Sequence, residues 1–139
     1  MNTQFRHITP IEIRFADMDA MGHVNNAKYL TYIEIARIGY FNTVLSKGVD
    51  LSRQSFILAR AAVDFVLPIE LHDKIQVATR CARMGTKSFD LEYEIVKTNH
   101  DAPIVVAKAQ TVLVCYDYLD KKSIAIPDGW KKLIETYEK

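Results

Sequence analysis

A chain of 139 residues, 49% hydrophobic and 25% charged, has the size and composition of one packed domain and is neither disordered, collagen-like nor a disulfide scaffold. With 18 Lys and Arg against 17 Asp and Glu, the formal charge is +1, so no positive field awaits a phosphate backbone and no nucleic-acid partner is expected. A single domain over residues 1–139 is expected.

From Ile11 to Phe15 apolar and charged residues alternate, which predicts a strand opened by Pro10 with Ile11, Ile13 and Phe15 on its buried side. Ala16 to His23 holds two aspartates and a glycine and reads as an irregular loop. Helical spacing then takes over from Asn26 to Leu45, with a stripe through Leu30, Ile33, Phe41 and Val44 that only Arg37 interrupts, and Asn25 or Asn26 as the N-cap. Tyr29, Tyr32, Ile35, Ile38 and Tyr40 lie on its other faces, so the helix should be largely enclosed. A polar connection with Gly48 and Ser52 follows, and then strands at Phe56–Phe65, Lys74–Arg83, Phe89–Ile95 and Ile104–Tyr116. Short turns at Met84–Thr86 and Asn99–Pro103 suit antiparallel neighbours, since parallel strands need long crossovers. Trp130, Leu133, Ile134 and Tyr137 outline a closing helix that begins near Pro127. The class is α+β, an antiparallel sheet of about five strands wrapped around one long helix.

Cys81 and Cys115 are far apart and have no zinc-ligand spacing, so free thiols in a reducing cytosol are expected, with no metal. The first ten residues lack the pattern of a secretory signal, and no run approaches the ~20 apolar residues of a membrane span. A cytoplasmic location without a membrane span is expected.

No phosphate loop, dinucleotide fingerprint, nucleophile elbow or zinc-protease motif is present, and nothing calls for a cofactor. The chemistry-bearing segment runs Arg14-Phe15-Ala16-Asp17-Met18-Asp19-Ala20-Met21-Gly22-His23-Val24-Asn25-Asn26, with acidic, imidazole and amide side chains crowded against a helix N-terminus. Such a terminus presents unpaired N–H groups and can stabilise an oxyanion.

The D-x-D-x-x-G-H-V-N-N-x-x-Y-L segment from Asp17 to Leu30 resembles the hotdog-fold acyl-CoA thioesterases, in the branch of 4-hydroxybenzoyl-CoA thioesterase. Glu34-Ile35-Ala36-Arg37, Asp64 to Pro68, Asp73-Lys74-Ile75 and Arg83 to Phe89 continue the match over nearly the whole chain. The resemblance implies a hotdog fold, an acyl-CoA substrate and Asp19 as the catalytic carboxylate. Asp19 would deprotonate water or attack the carbonyl directly, while a backbone N–H near Asn26 and Ala27 polarises the carbonyl. Taken alone, a D-x-D pair is more often turn chemistry; its setting reverses that reading.

Asp17 is expected to brace the loop. His23 either orients the reacting groups or is a structural hydrogen-bonding residue, and Asn25 and Asn26 are caps first and substrate contacts second. Glu34 is a second carboxylate on the helix, but Arg37 three residues on favours an ion pair. The resemblance further implies that Lys87 and Ser88, and Lys121 and Lys122 of the last hairpin, contact the phosphates of coenzyme A; solvated turn lysines are the plain alternative. His23-Val24-Asn25-Asn26 stands where other branch members carry an aromatic or a Tyr-His pair, a departure that bears on the acyl group rather than on the reaction. An acyl-carrier-protein thioesterase and a non-catalytic acyl-thioester-binding module remain alternatives, and Asp19 argues against the second. Exposed sheet edges and the resemblance together imply a homodimer as the minimal unit, with a tetramer plausible.

Overall fold

The computed structural model describes residues 4–45 and 51–139; Gly48 lies outside the described residues. Strand β1 (His7–Ile11) is followed by a single 3-10 turn at Phe15–Asp17 and by helix α1 (Asn26–Val44). Strands β2 (Gln54–Phe65), β3 (Ile75–Met84), β4 (Ser88–Lys97) and β5 (Ile104–Asp117) come next, then a two-residue β6 (Lys122–Ser123) and helix α2 (Asp128–Glu138). The sheet is antiparallel in the order β1-β3-β4-β5-β2, with β6 paired to β5. This is the α+β hotdog arrangement, with α1 lying across the inner face.

Alternation builds that inner face. Phe89, Leu91, Tyr93 and Ile95 of β4 are buried against α1, while Asp90 and Glu92 point outward and pair with Arg83 and Arg80 of β3. The tight β3–β4 turn needs Gly85, because a Cβ there would sit 2.9 Å from the Ser88 carbonyl oxygen. Helix α2 buries Trp130 and Ile134. Its Glu138 carboxylate accepts from the Tyr40 hydroxyl at 2.5 Å and from the Cys81 N–H at 2.7 Å, next to the irregularity in the β3 register between Cys81 and Arg83.

Two expectations are corrected. The first strand ends at Ile11 instead of beginning there, and Phe15, 81% exposed, belongs to the 3-10 turn. Pro10 sits inside this strand, opposite Gln76, which is tolerated because β1 is an edge. Helix α1 is not fully enclosed. Its buried side is Tyr29, Tyr32, Ile33, Ala36, Tyr40 and Val44, whereas Leu30, Ile35 and Ile38 are exposed. The buried stripe is rotated toward the tyrosines because the sheet covers one side of the helix only.

The two sheet edges differ. Strand β1 is five residues long and carries a proline. Strand β2 is twelve residues long, contains neither Pro nor Lys, and exposes Ile57, Leu58 and Phe65. Among the described residues nothing pairs with its outer edge. No helix among them is long and apolar enough to cross a membrane.

Candidate active site

The loop between the 3-10 turn and α1 folds around Asp19. The Asp19 Oδ1 accepts the N–H groups of Met21 at 2.8 Å and His23 at 3.2 Å, and the Asp19 N–H donates to the His23 carbonyl at 2.7 Å. Gly22 closes the turn with φ +82°, a left-handed conformation that glycine adopts without strain. The carboxylate is exposed, and Oδ2 has no protein partner among the described residues. A fixed carboxylate with one oxygen presented to solvent is what general-base or nucleophilic chemistry requires.

The loop is joined to the rest of the fold on both sides. Met18 bridges Val24, the Val24 N–H donates to the Ile69 carbonyl at 2.8 Å, and the Asn25 N–H donates to the Asp17 carbonyl at 2.8 Å. Asn25 is the N-cap of α1: its side-chain oxygen accepts the Ala27 N–H at 2.9 Å, and its carbonyl accepts the Lys28 N–H. Of the first three amides of α1, only that of Asn26 is left without an acceptor among the described residues. The Ala27 N–H is taken by the cap, so of the two amides expected to face a carbonyl the Asn26 N–H is the free donor among the described residues.

Asp17 is buried and differs from Asp19 in every partner. Its Oδ2 accepts the Tyr32 hydroxyl at 2.7 Å and the Arg14 N–H at 3.1 Å, and Lys28 Nζ lies 3.9 Å from Oδ1. Burial alone would push this carboxyl up, but the Tyr32 and Arg14 hydrogen bonds and the charges of Arg14 and Lys28 outweigh it and hold it below the ordinary aspartate value. The Tyr32 hydroxyl is pushed up, first by burial and then by the Asp17 carboxylate. Asp17 braces the loop, as its position predicts, through a side-chain bond to α1 as well as through a backbone N–H.

His23 is half-buried, and its place in the loop is set by its main chain. Glu34 and Arg37 form the ion pair that their spacing predicts, at 3.8 Å. Beside them a cavity of about 380 Å³ opens between α1 and β2, lined by Arg37, Ile38, Phe41, Phe56, Leu58 and Leu113 among others. Among the described residues no group of three His, Cys, Asp or Glu side chains could hold a metal ion.

Asp19, His23, Asn25 and Asn26 come together, and so do Lys87, Ser88, Lys121 and Lys122, but the two sets lie at opposite ends of the sheet. The loop end is level with the start of β5, where the Val66 N–H bonds the Val106 carbonyl and the Tyr29 hydroxyl bonds the Leu67 carbonyl. The lysine end is level with its finish: the Lys87 carbonyl accepts the Cys115 N–H, and Lys122 pairs with Asp117. Ten or so residues of β5 intervene, roughly 33 Å. Sequence spacing does not reveal this separation, because it arises from the sheet order.

Asp117, which sequence reasoning did not single out, organises the lysine end. Its Oδ1 accepts the N–H groups of Leu119 and Asp120, both at 2.9 Å, and its Oδ2 accepts from Arg53 at 3.2 Å and Gln54 at 3.3 Å. The Asp at the end of a strand with a short polar turn behind it is a recognisable turn signal. Lys121 sits at the tip with φ 54°.

Known proteins resemble this chain in sequence and in fold. The sequence profile of the thioesterase-like superfamily matches residues 13–134. A 1,4-dihydroxy-2-naphthoyl-CoA hydrolase of Thermosynechococcus vestitus is 31% identical over 130 residues, covering 86% of this chain and 84% of the relative. The long-chain acyl-CoA thioesterase FadM of Escherichia coli is 27% identical, covering 94% of this chain and 98% of the relative. A thioesterase from Thermus thermophilus, solved with coenzyme A and zinc, superposes with a TM-score of 0.83 at 31% identity, covering 99% of this chain and 98% of the other.

Proposed function

The chain belongs to the thioesterase-like superfamily, and from that premise we propose which of its residues carry the reaction and how. The enzyme hydrolyses acyl-CoA thioesters to the free acid and coenzyme A. The observation that carries the assignment of the site is Asp19: a solvent-facing carboxylate fixed through Oδ1 by two backbone N–H groups, in the loop that leads into the N-terminus of α1. A non-catalytic acyl-binding module has no need of that group.

In the proposed reaction the thioester carbonyl oxygen accepts the Asn26 N–H at the start of α1, where the helix dipole and a free donor favour developing negative charge. Asp19 Oδ2 takes a proton from water as the water oxygen bonds the carbonyl carbon. The tetrahedral intermediate collapses, the C–S bond breaks, and coenzyme A leaves as a thiolate that takes up a proton. The acyl group lies beside α1.

Two copies are part of the proposal. Lys87, Lys121 and Lys122 cannot serve an ester held at Asp19 of their own protomer across roughly 33 Å of sheet. A two-fold axis at the open edge of β2 would set two such strands antiparallel and bring the partner's lysine end beside this loop. The same contact would cover Ile57, Leu58 and Phe65 of β2 and Leu30 and Ile38 of α1, all exposed in the single chain. We place this homodimer, one hotdog domain over residues 1–139 in each copy, in the cytoplasm.

Release of free thiol from short, long and aromatic acyl-CoA esters tests the reading. Turnover of at least one class is expected, and a single turnover in ¹⁸O-water should label the product acid without labelling Asp19. Hydrolysis of acyl-carrier-protein esters alone would move the substrate to the carrier protein, and label in Asp19 would replace the base by a nucleophile.

A further inference from the structure

One buried hydrogen bond lies between the catalytic loop and the body of α1, and the reaction above makes no use of it: the Tyr32 hydroxyl donates to Asp17 Oδ2 at 2.7 Å. We propose that Tyr32 is a positioning residue for hydrolysis, which acts through Asp17 to hold the Asp19 loop in register with the Asn26 amide. The proposal deepens the reading of the site given above and rests on it.

The bonds from Asp19 to Met21 and His23 lie within the loop; they fix its shape but not its placement. Asp17 is two residues before Asp19, and its carbonyl holds the N–H of Asn25, the residue before Asn26. Whatever fixes Asp17 therefore fixes base and oxyanion donor relative to each other. The other hydrogen-bonded ties of this segment, Val24 to Ile69 and Met18 to Val24, are main-chain contacts, while the Val24 and Met18 side chains add apolar packing against the core. Tyr32, 2% exposed and two turns into α1, is the side chain through which the helix interior reaches the loop, with Lys28 at 3.9 Å as a longer second contact.

Beside this bond a cavity of about 310 Å³ is lined by Pro10, Ile11, Glu12, Arg14, Thr31 and Ile35 together with Asp17 and Tyr32. A carboxylate that loses the phenol donor has room to turn into that space, and a water molecule has room to enter. The charged or titratable groups around Asp17 are then Arg14, Lys28 and, at the cavity wall, Glu12. Small displacements of a base are costly to rate and cheap to binding, since phosphate contacts remote from the carbonyl are untouched.

Tyr32→Phe removes the hydroxyl and keeps the ring that packs in the core. Expected is a fall in kcat of about tenfold with KM within about twofold, together with faster amide exchange in residues 17–25 and unchanged exchange in the strands. In this variant the Asp17 carboxyl loses a donor that favours its charged form, so it protonates at higher pH than in the wild type. Asp17→Asn removes that titration, and the double variant should be within about twofold of the worse single variant, because the two residues act as one unit. An unchanged kcat in Tyr32→Phe, multiplicative effects in the double variant, or exchange accelerated throughout the fold would each overturn the proposal. Absence of turnover by the wild-type enzyme on every ester would instead overturn the hydrolase reading beneath it.

Discussion

Two aspartates at opposite ends of the sheet form the same local structure and differ in what they leave free. Asp19 and Asp117 each gather two backbone N–H groups on Oδ1, Met21 and His23 in one case, Leu119 and Asp120 in the other. Asp117 is 3% exposed, and its second oxygen is taken by Arg53 and Gln54. Asp19 is exposed, with its second oxygen open. Turn chemistry accounts for both loops, so the turn itself does not mark function. In the proposed site the feature that matters is the unoccupied oxygen beside a helix start.

Exchanging each carboxylate for its amide breaks the comparison most sharply. Asp19→Asn should lose activity by on the order of 10² or more while its thermal midpoint stays near wild type, because size and polarity are kept and the base is removed. Asp117→Asn should do the reverse, lowering the midpoint and leaving kcat on a short thioester without the nucleotide close to wild type. An active Asp19→Asn enzyme would return Asp19 to the role that Asp117 has.

The ends of two copies can be made to complement each other. In the proposed homodimer, Asp19→Asn chains mixed with chains in which Lys87, Lys121 and Lys122 are alanine should regain about a quarter of wild-type activity on a coenzyme A ester held well below KM. A random mixture makes half the dimers mixed, and each mixed dimer has one intact site of two. No recovery, or a fully active monomer in sedimentation at assay concentration, would separate the two ends again.

In the lysine variant alone, KM for the coenzyme A ester should rise by about tenfold while a truncated thioester is hydrolysed as before, since phosphate contacts act away from the carbonyl. The smallest effect concerns acid. The Asp120 N–H, followed by the Gln54 and Leu119 bonds and the Arg53 charge, outweighs burial and holds the Asp117 carboxyl below its unfolded value of 3.8. A depressed folded value stabilises above the unfolded pKa and is lost as pH falls through the folded one. Wild-type stability should therefore fall below about pH 4 more steeply than that of Asp117→Asn, read as the thermal midpoint against pH.

Much of this was legible in the residues, and the misses have physical causes. Alternation in Phe89–Ile95 and the long helical run from Asn26 are signals within one element, and both elements formed with boundaries close to those expected. Ile11 to Phe15 alternates equally well, yet the pairing of His7–Ile11 with Ile75–Thr79 left Phe15 outside the sheet. Pattern alone does not say which residues find a partner strand. In the site, Asp19, Asn25 and Asn26 are local to one loop and could be read together. The distance to Lys121, the burial of Tyr32 against Asp17 and the clamp on Asp117 depend on elements far apart in sequence, which no spacing records.

Among the described residues strand β2 is attached to the sheet through β5 alone, and Phe65 pairs with Ala107. During synthesis the roughly forty residues between them take about 2–8 s at 5–20 residues per second, so a long, apolar strand emerges from the ribosome with both of its edges unsatisfied for that time. The five-residue β1, punctuated by Pro10, poses no such hazard while it waits for β3. Protection of the nascent chain thus falls on the interval before β5 is made, and a ribosome stalled between residues 65 and 104 would release the form of this protein most prone to aggregate.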